Sequence, residues 1–150
     1  MGWSEILTSL GLSADQPLPD GIGAAAWGRD GNRWVFFFDT PGKDGLERSL
    51  EAVRGWVNGQ YRVPRPLRIF APYMAVVAVQ TRPDADLDAL VTSSATSSLW
   101  GGEVWHLVSA TRATGQVVVP VAQGGPQAQR IARLRLHQFT PERYGRAALG

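Results

Sequence analysis

The sequence predicts a single α+β domain whose mostly antiparallel sheet is built from two hairpins plus a buried central strand, with the helices packed on one face. Three observations carry this expectation. An Asp-Gly pair, Asp30-Gly31, lies between two apolar runs and is a strong hairpin signal. A second pair of apolar runs flanks Thr111 to Gly115 in the same way. Between the two pairs, Tyr73 to Gln80 is almost continuously apolar and rich in valine, the pattern of a strand buried on both faces. At 150 residues, 44% of them hydrophobic, the chain is long enough to bury a core without disulfides or metal.

Each element follows from local chemistry. Trp3 to Leu12 reads as a helix, with Ile6, Leu7 and Leu10 at helical spacing and Gly11 available to end it. Pro17, Pro19 and Gly21 punctuate a loop. The first hairpin is Ile22 to Trp27 and Arg33 to Asp39, joined through Gly28 to Asn32. Gly42 to Gly45 reads as a turn, and Leu46, Leu50, Val53, Trp56 and Val57 then recur along a helix ending near Gly59. Pro64 and Pro66 break the chain before two expected strands, Leu67 to Phe70 and Tyr73 to Gln80. Pro83 with Asp84, Asp86 and Asp88 opens a helix to about Thr92, its carboxylates placed where the helix dipole favours negative charge. Residues 92 to 98 are small and polar, the best candidate for a flexible loop. The second hairpin is Glu103 to Ala110 with Gln116 to Ala122, and Gly124-Gly125-Pro126 starts a last helix. In that helix Ile131, Leu134 and Phe139 are expected to share the buried side, with Arg130 and Arg133 off it.

Charge is distributed unevenly. Of 15 basic and 13 acidic residues, the stretch from Val104 to Gly150 holds six arginines and one acid, Glu142. The front of the chain is correspondingly acidic. Such a field favours an anionic partner or contact between unlike ends of two copies. The partner surface expected first is Arg130, Arg133, Arg135, Arg143 and Arg146. A second basic patch interleaved with aromatics, Arg62, Arg65 and Arg68 with Tyr61 and Tyr73, is the pattern that single-stranded nucleic acid would need, stacking faces beside guanidinium groups. The structural alternative for the same residues is core aromatics with solvated arginines.

Catalytic motifs do not hold up residue by residue. Gly21-Ile22-Gly23 has the letters of a dinucleotide loop, but prolines precede it and a strand follows, so no helix N-terminus meets a pyrophosphate. Gly42-Lys43 lacks the hydroxyl residue a phosphate loop requires, Asp44 standing there instead. Asp84, Asp86 and Asp88 have the opening spacing of a calcium loop, without its turn glycine or its closing glutamate. Asp84 with Glu103 resembles the acid pair of a metal-dependent nuclease, without the lysine that should follow. His106 and His137 are the only histidines, and with no cysteine a zinc site has no short ligand spacing to rest on. No metal and no cofactor are expected.

The order of elements up to Gln80 resembles the small dimeric roadblock-type modules, and the full order, with the helix around Leu50 taken as an insertion, resembles dimeric secretion-chaperone-type α+β folds. Both resemblances imply dimerisation and protein binding. The functional expectation is a non-catalytic, homodimeric interaction module that docks an acidic partner through its basic C-terminal segment. A nucleic-acid-binding accessory protein is the first alternative, and a metal-dependent nuclease-like enzyme the second. With no basic-then-apolar opening segment and no apolar stretch long enough to span a bilayer, the expected location is the cytoplasm, away from membranes.

Overall fold

The structure is a computed structural model and describes residues 2–95 and 101–150. Among the described residues five strands form one sheet in the order of the chain: β1 (Ala26–Asp30), β2 (Arg33–Asp39), β3 (Tyr73–Gln80), β4 (Val104–Thr111) and β5 (Gln116–Val118). Helices α1 (Trp3–Ser9), α2 (Gly42–Gly59), α3 (Ala85–Thr92), α4 (Pro126–Phe139) and α5 (Glu142–Ala148) complete the α+β fold.

The sheet is mixed, which corrects the expectation of a mostly antiparallel one. β1–β2 and β4–β5 are antiparallel hairpins, whereas β2–β3 and β3–β4 run parallel. Parallel neighbours cannot be joined by a tight turn, so α2 and α3 serve as crossovers. The strands at the centre then need cover on both sides. All eight residues of β3 are buried, and so are Trp34 to Phe38 of β2.

The helices therefore pack on both faces, where one was expected. One face carries Trp34, Phe36, Met74, Val76 and Leu107 against Leu46, Leu50, Val53 and Val57 of α2 and Leu87 and Val91 of α3. Trp27 and Trp34 stack with ring centroids 6.0 Å apart, and Trp56 meets both edge-on, so these hairpin aromatics are core. The opposite face carries Val35, Phe37, Ala75, Val77, Val79 and Val108 against Ile6 of α1 and Tyr144 and Ala148 of α5. Gly145 lets α5 sit close, since a Cβ there would come within 2.6 Å of Val117 Cγ1 and 2.9 Å of Val108 Cγ1.

Other boundaries shift for local reasons. The first turn is the two residues Gly31 and Asn32, with Gly31 at φ 58°, so β1 runs on to Asp30 and spans Ala26–Asp30 where Ile22 to Trp27 was expected. Gly42 to Gly45 is the first turn of α2 instead of a separate turn. Leu67 to Phe70 is not a strand: Arg65–Leu67 forms a short 3-10 turn between Pro64 and Pro72, and Ile69 and Phe70 after it stand in solvent. Asp84 caps α3 as expected, its carboxylate accepting from the Leu87 amide at 3.1 Å. Of the polar segment 92 to 98, Ser93 and Ser94 bond back to Ala89 and Val91 carbonyls, and positions 96 to 98 lie outside the described residues. No helix among the described residues is long and apolar enough to cross a membrane.

Candidate functional site

The basic C-terminal segment is divided between two helices with different surroundings. Gly125 caps α4 and Pro126 takes its first helical position, where a missing N–H costs nothing. The helix is anchored at its far end by Phe139, which stacks on Tyr73 with centroids 4.0 Å apart and planes 4° from parallel. Thr140 then turns left-handed, φ 42°, and Pro141 starts α5. Of the fourteen residues of α4 only Ala132 and Phe139 are fully buried.

This inward pair sets what faces out. Leu134 does not join the buried side as the spacing suggested. It is 59% exposed and stands beside exposed Arg130 and Arg133, and with Pro126, Gln127 and Ile131 it lines a shallow groove. Arg133 donates to Gln129 Oε1 at 2.7 Å, one turn back. The whole helix holds three arginines and no acid. The α5 arginines are committed locally: Arg146 pairs with Glu142, both exposed, while Arg143 lies over the Tyr144 ring and donates to its hydroxyl at 2.6 Å. Exposed pairs of the first kind add little stability, but they do neutralise charge.

Arg135 points elsewhere. It reaches the cleft where the N-terminal ends of β2, β3 and β4 meet α4, a cavity of about 380 Å³ lined also by Arg33, Ile69, Phe70, Gln138 and Phe139. Beneath lies a buried aromatic and imidazole group. The Tyr73 hydroxyl and His106 Nδ1 are 2.9 Å apart, and Phe139 packs on both rings. Burial and, secondarily, the Arg135 charge lower the His106 pKa to about 4, so the ring is neutral near pH 7. Burial also raises the Tyr73 pKa well above its ordinary value, the neighbouring Tyr144 adding to the effect while Arg33 and Arg143 oppose it.

The second basic patch is largely a structural staple. Glu103, with its side chain 6% exposed, accepts from Arg54 and Asn58 and has Arg65 Nη1 at 4.0 Å. Arg68 donates to Asn58 Oδ1 at 2.6 Å and to the Gly102 carbonyl at 2.8 Å, and its guanidinium covers the Tyr61 ring. Tyr61 in turn accepts from Trp34 Nε1 at 2.9 Å and donates to Asn32. Gly102, at φ 67°, must be glycine: a Cβ would fall 2.4 Å from the Arg65 carbonyl oxygen. Tyr73 is buried under Phe139, leaving Arg62 as the exposed member without a described partner. Glu103 stands out in the sequence only as half of an acid pair with Asp84, and Asn58 not at all, because the bond between them and those to Arg54 and Arg65 join residues tens of positions apart.

The two acids with nuclease-like character are not brought together. Asp84 follows the C-terminal end of β3 and Glu103 precedes the N-terminal end of β4, and because these neighbouring strands are parallel the acids sit at opposite ends of the strands. Eight residues of strand separate them, roughly 25 Å. Asp84 is occupied in capping and Glu103 in ion pairs. Among the described residues no group of three or more histidine or acidic side chains is arranged to hold a metal.

No family of known proteins, no curated protein and no solved structure matches the chain.

Proposed function

We propose that the chain is a non-catalytic interaction module that docks an acidic segment of another protein on the outward face of α4. The observation that carries the reading is the exposed Leu134 beside Arg130, with Ile131 on its other flank and Arg133 next to it in the chain, on a helix without acids. An apolar side chain among cations suits an amphipathic acidic segment, whose carboxylates meet the guanidinium groups while an apolar residue covers Leu134 and Ile131. Bare phosphate would gain nothing from that leucine. The nucleic-acid alternative is correspondingly weaker, since Tyr73 offers no open ring and Tyr61 lies under Arg68. The reading does not require a second copy of the chain.

The test is fluorescence anisotropy with a labelled helical peptide rich in glutamate and leucine, run beside labelled single- and double-stranded oligonucleotides at low and moderate salt. The reading expects peptide binding that Arg130→Glu with Arg133→Glu abolishes and Leu134→Ser weakens about fivefold or more. Oligonucleotide binding that falls steeply with salt and ignores Leu134→Ser is the nucleic-acid outcome.

A further inference from the structure

Exposed apolar side chains are not scattered over this molecule. Among the described residues the large ones are Val63, Leu67, Ile69, Phe70, Val121 and Leu134, and four of these six fall between positions 63 and 70. Ile69 is 89% exposed and Phe70 76%. An apolar cluster so fully in water is costly unless something covers it. The segment is also held out deliberately, by the bonds of Arg68 to Asn58 and to the Gly102 carbonyl and by Arg65 beside Glu103.

Ile69 and Phe70 form one wall of the cleft into which Arg135 reaches. The floor is Tyr73, Val104 and Phe139, and the remaining wall carries Arg33. Both arginines are half-buried, and among the described residues neither has an ion pair or a hydrogen bond to an acid. The Nε of Arg135 is shielded from solvent with no partner at all. A guanidinium group taken from water without an acceptor is destabilising, and a carboxylate between the two is the group that would relieve it. The Arg33 guanidinium lies 5.6 Å from the Phe139 ring centroid, so charge and aromatic surface meet at one place. His106 beneath is neutral and already bonded to Tyr73, so it adds no charge to the cleft.

We infer that this cleft binds a hydrophobic carboxylate: its carboxyl group sits between Arg33 and Arg135, and its aromatic or branched apolar portion lies against Ile69, Phe70 and Phe139. The cavity, about 380 Å³, is of the size that takes a single amino-acid-sized or small aromatic acid. Asp30, exposed at the rim, is an acceptor for any ammonium group the ligand carries. Two sources have this chemistry, a free small acid and the C-terminal carboxylate of a peptide ending in an apolar residue. The inference is independent of docking on the outward face of α4, and either can fail alone.

The experiment titrates the full chain with N-acetylphenylalanine, with its amide, and with a short peptide ending in phenylalanine as free acid or amide, followed by calorimetry and by NMR shifts. The free acids are expected to bind and the amides to bind about tenfold more weakly or not at all. Arg33→Gln and Arg135→Gln should each weaken the acids about tenfold, whereas Arg82→Gln, at the far end of β3, should not. Because Arg135 packs near His106, the exposed Phe70→Ser variant supplies a substitution that leaves the core intact, and it too should weaken binding. Preference for the peptide acid over the small acid identifies a chain terminus as the source, and the reverse identifies a small molecule. Equal binding of acid and amide, no binding of either acid at millimolar concentration, or indifference to both Phe70→Ser and the arginine variants overturns the inference.

Discussion

Stability should fall as pH drops from neutral toward 5, and His106 is the group that makes it fall. The imidazole is buried beside Tyr73 and Phe139 with Arg135 near it, and its pKa in the folded chain is about 4, against 6.5 for an ordinary histidine. A depressed histidine pKa means that the unfolded chain takes up a proton that the folded chain refuses. Stability from this group is therefore complete above about pH 6.5 and is lost as pH falls toward 4. Between about pH 7 and pH 5 the two pKa values correspond to a loss of about 2 kcal/mol. Guanidinium chloride unfolding of the natural chain and of His106→Gln, at several pH values in that window, isolates the term. Glutamine can still meet the Tyr73 hydroxyl but cannot titrate, so its curve should be flatter by about 2 kcal/mol even if its stability at pH 7 is lower. Parallel pH dependence in the two proteins would refute the assignment of this loss to a buried, neutral His106.

Three further substitutions test the supports of the fold. Glu103→Ala removes the acceptor shared by Arg54, Asn58 and Arg65, and should cost about 2 kcal/mol in chemical denaturation while speeding amide exchange across residues 63 to 70. Gly145→Ala forces a methyl group against Val117 and Val108, and should lower stability by about 1 to 3 kcal/mol; a thermal melt that does not move would mean that α5 is free to shift. Asp84→Ala deletes the cap of α3, with an expected loss of about 1 kcal/mol that Asp84→Ser should largely restore.

The sequence was most legible where a single local interaction decides the geometry. Asp30-Gly31 marks the first hairpin, whose turn falls at Gly31 and Asn32, Asp84 caps its helix, and the valine-rich run from Tyr73 is the buried central strand. The same reasoning applied to Trp34 to Phe38, equally continuous in apolar residues, would have marked β2 as a second strand buried on both faces. As half of an isolated hairpin the same run predicts an antiparallel sheet covered on one side. On α4, Leu134 is the more apolar candidate for burial, but the helix is oriented by Phe139 on Tyr73, a contact between residues far apart in the chain, and that rotation turns Ala132 inward and Leu134 out. The arginines themselves are plain in the sequence. Which of them are paired is not, because Glu103 and Asn58 reach Arg54, Arg65 and Arg68 only after folding. The apolar run Leu67 to Phe70 has the composition of a strand, and the prolines at 64, 66 and 72 leave it in solvent at the mouth of the cleft.

The proposed function stands or falls on where an acidic partner touches the chain. Backbone amide shifts of the isotope-labelled protein, recorded during titration with the glutamate- and leucine-rich peptide, read this position directly. The account predicts changes concentrated at residues 126 to 138, with Arg130, Arg133 and Leu134 at the centre. Changes centred on Arg62 and the staple around Glu103, or spread evenly over every exposed arginine, would contradict it.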